Sequence, residues 1–323
     1  MKRRSIISVA GGVTLAVSLP VLGQTRQKPL RIGFVAILSR DYKGAPIFTA
    51  ALRESGLEVG RDFVWEPRFT EGQEDRVPGL FAELASKPVD LILAVGDAQI
   101  AMARKATATI PIVMMYSDAP VNLGFVASLS RPGGYITGMT AGDYVEKNLQ
   151  MLHDISPSAK HLGLMLDPAY PASELLVERL QPAAAAMGCR LRILPSQTAA
   201  DVEAALALIV KDRVDALTVT TTLRLLPSQT RIIEFAALHR LPAMYYNFQW
   251  VRDGGLIGRQ IDEAERIRQA IKIVSKVLKG AKPADIPIEQ ATRHNVVINL
   301  KTARAMGLKI PQSVLLQATE VIE

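Results

Sequence analysis

The sequence has few of the residues and motifs that mark enzymes and metalloproteins. Its single cysteine, Cys189, allows no intramolecular disulfide and follows Gly188 as a small residue expected to be buried. The four histidines are scattered and lack metal-ligand spacing. A dinucleotide-binding glycine loop, a phosphate loop, a nucleophile elbow and an HExxH motif are all missing. We therefore predict no catalysis, no metal and no cofactor, with an active site assembled from distant residues as the remaining alternative.

The chain also lacks the strong charge of a nucleic-acid-binding protein. The formal net charge is +7, and removing Lys2, Arg3 and Arg4 leaves +4 on about 300 residues. No basic stripe is interleaved with aromatic residues. We therefore expect no nucleic-acid partner.

The first 23 residues have the pattern of a secretory signal. Three basic residues precede an uncharged stretch at 5–23, and small Gly23 is followed by polar Gln24. A membrane anchor that stays attached is the alternative. Because Gln24 stands where a lipoprotein would carry cysteine, no lipid anchor is expected. The segment predicts a periplasmic protein and leaves the export route open between the general and the twin-arginine pathways.

Apolar strand-like runs alternate with helix-like segments along the rest of the 323 residues. About five such β-α units are followed by a second set of similar length. This alternation predicts an α/β protein with two doubly wound parallel-sheet lobes joined by a hinge. Within 112–140, the pattern predicts a strand at 112–116, a turn, a helix-length piece ending at 131–134, and a strand at 135–140.

Polar residues directly follow many of the predicted strands, where parallel sheets bind ligands. Aspartates there suit a cation such as an ammonium group, and tyrosines suit an apolar or ring-shaped part. Each residue taken singly is more often a helix N-cap, but several on one edge indicate a cleft. The candidates are Ser39, Asp41, Tyr42, Gly96, Asp97, Ser117, Asp118, Thr140, Asp167, Tyr170, Thr221, Thr222, Tyr246 and Asn247.

Four stretches carry a resemblance to a known family. They are TEGQEDRVP at 70–78, VDLILAVG at 89–96, the segment 123–138 with VASLSRPGG at 126–134, and the tail VINLKTARAMGL at 297–308. With them the chain resembles the bacterial ABC-transporter substrate-binding proteins of the tryptophan/tyrosine-type group, which have a type I periplasmic-binding fold. The resemblance extends over nearly all of the chain after the signal segment.

The resemblance implies three chain crossings between the lobes. It places them near 141–144, 248–262 and 284–295. The first lobe would then comprise 28–141 and 256–283, and the second 142–255 and 284–323. Gln260 would lie next to the cleft at the second crossing and joins the predicted ligand-binding residues.

The chain departs from the family pattern at three pocket positions, which leaves the identity of the ligand open. Asp97-Ala98 stands where the family often has Thr-Pro, Ser117-Asp118 replaces a Gly-Asp-like turn, and Asp167 replaces an asparagine.

These observations predict an exported solute-binding component of an ABC import system. It would be a monomer that closes its hinge on a small polar or zwitterionic, amino-acid-like ligand and delivers it to an inner-membrane permease. A ligand-sensing module for a membrane receptor and, less favoured, an exported enzyme on the same scaffold are the alternatives.

Overall fold

The computed structural model describes residues 28–36, 45–142, 144–220 and 222–323. The predicted signal segment at 1–23 and the candidate residues Ser39, Asp41, Tyr42 and Thr221 lie outside the described residues.

The first lobe is built around a parallel sheet with helices on both faces. Its strands are β1 (Leu30–Ala36), β2 (Phe63–Phe69), β3 (Leu91–Val95), β4 (Ile112–Ser117) and β5 (Ile136–Thr140). Its first helices are α1 (Ala45–Glu54), α2 (Val77–Ala85) and α3 (Gly96–Ala106). The strands run β2-β1-β3-β4-β5, all parallel. Their near-continuous apolar runs are buried because helices cover both faces.

The second lobe repeats this arrangement. Its strands are β6 (His161–Leu166), β7 (Arg190–Pro195), β8 (Ala216–Val219), β9 (Ala243–Tyr245) and β10 (Ile257–Ile261), in the order β7-β6-β8-β9-β10. Its helices are α4 (Val145–Ile155), α5 (Ser173–Ala186), α6 (Ala199–Lys211), α7 (Gln229–Leu238) and the short α8 (Phe248–Arg252). The prediction of two doubly wound parallel-sheet lobes is confirmed.

The remaining elements pass back and forth between the lobes. They are α9 (Glu263–Leu278), β11 (Glu289–Gln290), β12 (His294–Asn299), α10 (Leu300–Met306), α11 (Gln312–Leu315) and β13 (Glu320–Ile322). Ile267 and Ile271 of α9 pack in the core of the first lobe, and β11 pairs with β5 at that sheet's edge. Strand β12 pairs antiparallel with β10, and β13 follows it at the edge of the second sheet.

The sheet pairing moves two of the predicted lobe boundaries. Residues 257–261 belong to the second sheet through β9 and β12, although the family resemblance implied that 256–283 lie in the first lobe. Residues 289–290 belong to the first sheet, although the resemblance implied that 284–323 lie in the second lobe. The chain crosses between β5 and α4, at about 262 and at 291–293. A strand of two residues such as β11 has no recognisable hydrophobic pattern. The sequence also does not show that β12 pairs antiparallel with β10.

No helix forms between β4 and β5, contrary to the helix-length piece predicted there. Residues 118–135 form successive turns, and the backbone amide of Leu123 donates to the carbonyl of Ala119 at 3.0 Å. Ser128 Oγ accepts from the Arg131 amide at 3.0 Å, which closes a local turn instead of a helical one. The prolines and glycines of this stretch prevent a continuous helix.

Gly138 allows β5 to lie against β4. Its φ is 141°, and a Cβ atom there would lie 2.2 Å from the carbonyl oxygen of Met114. The register of β4 against β5 shifts between Met114 and Ser117. Because Gly138 has no side chain, β5 can pair closely with the end of β4, which leads into the cleft.

Candidate functional site

A cavity of about 510 Å³ lies between the two lobes. It is formed at strand ends beside the points where each strand order reverses, between β1 and β3 and between β6 and β8. Its volume falls within the range of small-molecule sites, roughly 300–1,000 Å³. Seven predicted site residues line it: Asp118, Asp167, Tyr170, Thr222, Tyr246, Asn247 and Gln260.

Four other predicted residues support the wall from behind. Gly96 begins α3 with φ 75°, and Asp97 in its first turn is fully buried. The Thr140 hydroxyl donates to the Ser117 carbonyl at 3.0 Å, and the Ser117 hydroxyl donates to the Asp97 carboxylate. Gly96, Asp97, Ser117 and Thr140 are therefore not part of the cavity lining.

Asp97 and Asp118 form a pair of acids at the cavity wall, with Asp118 in the lining and Asp97 buried behind it. The Asp118 amide lies 3.3 Å from each carboxylate oxygen of Asp97. Asp118 accepts hydrogen bonds at 3.1 Å from the hydroxyls of Tyr144 and Tyr170. The Tyr170 hydroxyl also lies 3.3 Å from Asp97 Oδ2, so this residue of the second lobe reaches both acids of the first.

Burial raises the pKa of both acids. Burial first, and the neighbouring Asp118 second, raise the pKa of Asp97 to about 7. Burial likewise raises the pKa of Asp118, although Tyr170 and Tyr144 oppose the shift by hydrogen bonding to its ionised form. Ionising both acids at once is therefore unfavourable.

Aromatic rings form much of the remaining wall. Tyr144 lies beside Tyr246 with ring centroids 5.8 Å apart, and it stacks on His294 at 5.9 Å. Tyr116 and Phe248 also line the cavity. Tyr116, which lies inside an apolar strand, and Tyr144, which follows the first crossing, were not predicted from the sequence.

Four arginines line the same cavity, and all of them were also missed. Arg179 and Arg252 form ion pairs with Glu146 and Glu320, whereas Arg259 and Arg266 lie near the second crossing. The Arg266 guanidinium lies 5.4 Å from the Tyr116 ring centroid, and its Nη1 is buried without a hydrogen-bond partner in the described part of the chain. Its Nη2 lies 3.5 Å from Glu263. Arg259 Nη1 donates to Asn148 Oδ1 at 3.2 Å and lies 3.4 Å from the Tyr144 carbonyl. The positions of Arg259 and Arg266 depend on where the second crossing ends, which the sequence does not specify.

Several lining residues already have structural partners. Asp167 Oδ1 accepts from the Ala169 amide at 2.9 Å, and Asn247 caps α8 by accepting from the Gln249 amide at 2.8 Å. Gln260 binds the backbone of the β9–α8 turn at Tyr246. These side chains shape the cavity, which Asp118 also lines.

The crossings are tied together beside the cavity. The Asp262 amide donates to the Arg293 carbonyl at 3.0 Å, and Asn295 Nδ2 donates to Asp262 Oδ2 at 3.3 Å. The Ala291 amide donates to the Thr140 carbonyl at 3.0 Å. Through these contacts the three crossings lie side by side, as a hinge between two lobes requires.

Within the described ranges, no group of three or more acidic, histidine or cysteine side chains is arranged to hold a metal ion. The same ranges contain no helix of the length and hydrophobicity needed to span a membrane. The described site is thus a cleft of opposite charges and aromatic rings.

Comparison with known proteins identifies relatives of similar architecture. The chain is 24% identical over 262 residues to a tyrosine-binding protein of Clostridioides difficile, covering 81% of this chain and 76% of that protein. A solved ABC domain in complex with L-Trp from Streptococcus pneumonia superposes with a TM-score of 0.81 at 23% identity, over 91% of this chain and 100% of that one. A conserved domain protein from Vibrio cholerae gives 0.81 at 22% identity, with the same coverage. At these identities the likeness to solved structures establishes the fold.

The family assignment rests on a match along most of the chain. A family model described as ABC transporter substrate binding protein matches residues 34–322. The prediction that the protein is not an enzyme is confirmed, because the matched relatives are binding proteins. The chain belongs to the family of ABC transporter substrate-binding proteins.

Proposed function

We propose that the protein is the exported solute-binding component of an ABC import system and that it binds an aromatic amino acid. The ligand would lie in the cavity between the lobes and pass to an inner-membrane permease after hinge closure. The relative named for tyrosine and the solved domain bound to L-Trp support this ligand class. The uncharged stretch at 5–23 supports export to the periplasm.

The observation that carries the proposal is a pair of opposite charges, Asp118 and Arg266, that both line the cavity and both act on Tyr116. Asp118 follows Tyr116 closely in the chain, and Arg266 lies over the Tyr116 ring. Burial and Asp118 raise the pKa of Tyr116 to about 12, whereas Arg266 opposes that rise. An α-amino acid carries an ammonium and a carboxylate group, so Asp118 would bind the ammonium and Arg266 the carboxylate.

The aromatic wall supports a ring-bearing side chain. Tyr144, Tyr170, Tyr246 and Phe248 line the cavity and offer faces and edges against which a ligand ring can pack. Thr222 Oγ1 is buried beside them and has no partner among the described residues, which makes it a candidate for a ligand hydroxyl or indole N–H. These assignments favour tyrosine or tryptophan over an aliphatic amino acid.

Hinge closure follows from where these groups originate. Asp118 and Arg266 belong to the first lobe, whereas Tyr170, Thr222 and Tyr246 belong to the second. A ligand that contacts both sets has more interactions in the closed form, so its binding shifts the population toward closure. We therefore expect closure to bury the ligand between the lobes.

Isothermal titration calorimetry tests the proposal directly. L-tyrosine and L-tryptophan should bind, whereas tyramine, which lacks the carboxylate, and 3-(4-hydroxyphenyl)propionate, which lacks the ammonium, should bind far more weakly. Arg266→Gln and Asp118→Asn should each weaken binding by roughly 10- to 150-fold, because a hydrogen bond to a charged group contributes about 1.5–3 kcal/mol.

Arg231→Gln is a matched control, since this arginine pairs with Glu203 on the surface at 2.7 Å and does not line the cavity. Failure of both amino acids to bind the purified protein, with no compaction in small-angle scattering, would contradict the proposed function. Equal affinity for tyramine and L-tyrosine would contradict the role of Arg266. Sequencing the N-terminus of the periplasmic protein would test export.

A further inference from the structure

Asp97 has a position that the binding of an amino acid does not by itself require. The side chain is fully buried, and its carboxylate accepts from the hydroxyl of Ser117 and from the amide of Asp118. No salt bridge to Asp97 or Asp118 occurs within the described ranges. A buried carboxylate that faces a second carboxylate and lacks a paired cation is costly to ionise.

We propose that Asp97 and Asp118 share one proton at neutral pH, and that the ammonium group of the ligand displaces this proton to solvent. The inference rests on the proposed function, because it needs a cationic group to enter the cavity at Asp118. It makes Asp97 a residue that tunes the affinity of the site for a positive charge without touching the ligand.

The surrounding groups are consistent with a single shared proton. Both acids lie within the reach of Tyr170, whose one hydroxyl proton can be donated to only one of them at a time. The titratable and charged groups that face the pair are Tyr116 of β4, Tyr144 before α4, Tyr170 after β6, Tyr246 after β9, Arg179 of α5 and, beside Tyr116, Arg266 of α9.

The tyrosines stay neutral at physiological pH because burial raises the pKa of each of them. Arg179 is engaged by Glu146 through contacts of 2.6 and 2.7 Å. Arg179 favours ionisation of Asp118, but burial still raises the pKa of that acid, so the protein balances a second negative charge on the pair only in part.

The proton balance of the binding step is simple. The free site holds one negative charge and one proton, and the amino acid arrives with its ammonium protonated. Bound next to Asp118, the ammonium favours ionisation of both acids, so the shared proton leaves to solvent while the ligand keeps its own. Because binding releases a proton, the association constant should rise with pH between about 6 and 8, by at most tenfold per pH unit.

Carbon-13 NMR of aspartate-labelled protein tests the shared proton without any ligand. One carboxyl carbon of the pair should titrate near pH 7. Its signal is identified by its loss in Asp97→Asn, a nearly isosteric change, and the signal of the partner by its loss in Asp118→Asn. If every carboxyl signal of the wild-type chain titrates below about pH 5, the inference is overturned, whatever the ligand proves to be.

Calorimetry with L-tyrosine and L-tryptophan in two buffers of different ionisation enthalpy counts the released protons. Wild-type protein should release up to one proton per ligand at pH 7, and Asp97→Asn should release none. Asp154→Asn, a surface change on α4 outside the cavity, should behave like the wild type.

The outcomes separate this inference from the proposed function. Binding to the wild type with no proton release overturns the displacement step and leaves solute binding intact. Equal proton release by Asp97→Asn and the wild type also overturns it. If neither amino acid binds, the proposed function fails for this ligand class, whereas the NMR titration still decides whether the proton is shared.

Discussion

Replacing Asp97 with asparagine should change how the stability of the first lobe depends on pH. An unfolded aspartate has a pKa of 3.8, whereas burial and Asp118 raise the pKa of folded Asp97 to about 7. A group whose pKa is raised by folding contributes stability that is present below the unfolded value and is lost as pH rises through the folded value. The wild type should therefore lose stability at this site between about pH 4 and pH 7.

The size of the effect follows from the difference between the folded and unfolded pKa values of Asp97. A tenfold change in an acid dissociation constant corresponds to about 1.4 kcal/mol, so the loss amounts to roughly 4 kcal/mol across the full window. Asparagine at this position does not titrate and avoids the loss. The free energy of unfolding of Asp97→Asn, relative to that of the wild type, should thus increase by about 1.4 kcal/mol for each unit by which the pH rises within the window.

Urea denaturation at pH 4.5, 6 and 8 measures this difference. The chain contains two tryptophans, Trp65 in β2 of the first lobe and Trp250 in α8 of the second, so their fluorescence follows both lobes. Asp154→Asn serves as the control and should show no such trend, because this side chain is not buried under the cavity. A stability difference between Asp97→Asn and wild type that stays constant from pH 4.5 to 8 would refute the reasoning.

Three further substitutions test the fold and the hinge. Gly138→Ala should destabilise the protein by about 3 kcal/mol or prevent folding, since the added methyl would clash with the Met114 carbonyl. Gly134→Ala is the control: its methyl would enter open space, so this variant should melt within a few degrees of the wild type in scanning fluorimetry. Tyr170→Phe removes the hydroxyl that joins the second lobe to the two buried acids, so the radius of gyration of the ligand-free protein should increase in small-angle scattering; an unchanged radius would contradict this role. Asp262→Ala removes an N-cap and should cost about 0.5–2 kcal/mol in urea denaturation, with no loss if the cap is dispensable.

The sequence predicts the parallel core well because burial on both faces demands continuous apolar strands. The run at Leu91–Val95 has the composition of a buried strand, and its polar continuation places Asp97 in the first turn of α3. The sequence does not specify how deeply each polar residue is buried. Asp97 and Asp118 look alike in the pattern, yet only Asp118 lines the cavity, because α3 begins directly at Gly96 and turns Asp97 into the protein.

The remaining misses arise where the lobes meet. Arg266 and Tyr144 reach the cavity because the chain crosses at about 262 and between β5 and α4, and helix periodicity does not encode where such crossings fall. The helix-length piece after β4 was wrong because local serine and proline turns override its apolar spacing. Contacts far apart in the chain thus determine the details of the cleft.

The repeated crossing of the chain has a consequence for the order in which the protein can be completed. The first sheet requires β11 at Glu289–Gln290, and its core requires Ile267 and Ile271 of α9. A ribosome therefore has to synthesise every strand from β6 to β10 before the half of the protein encoded first has all of its parts. For the same reason, cutting the chain once cannot release either half as an intact folded fragment.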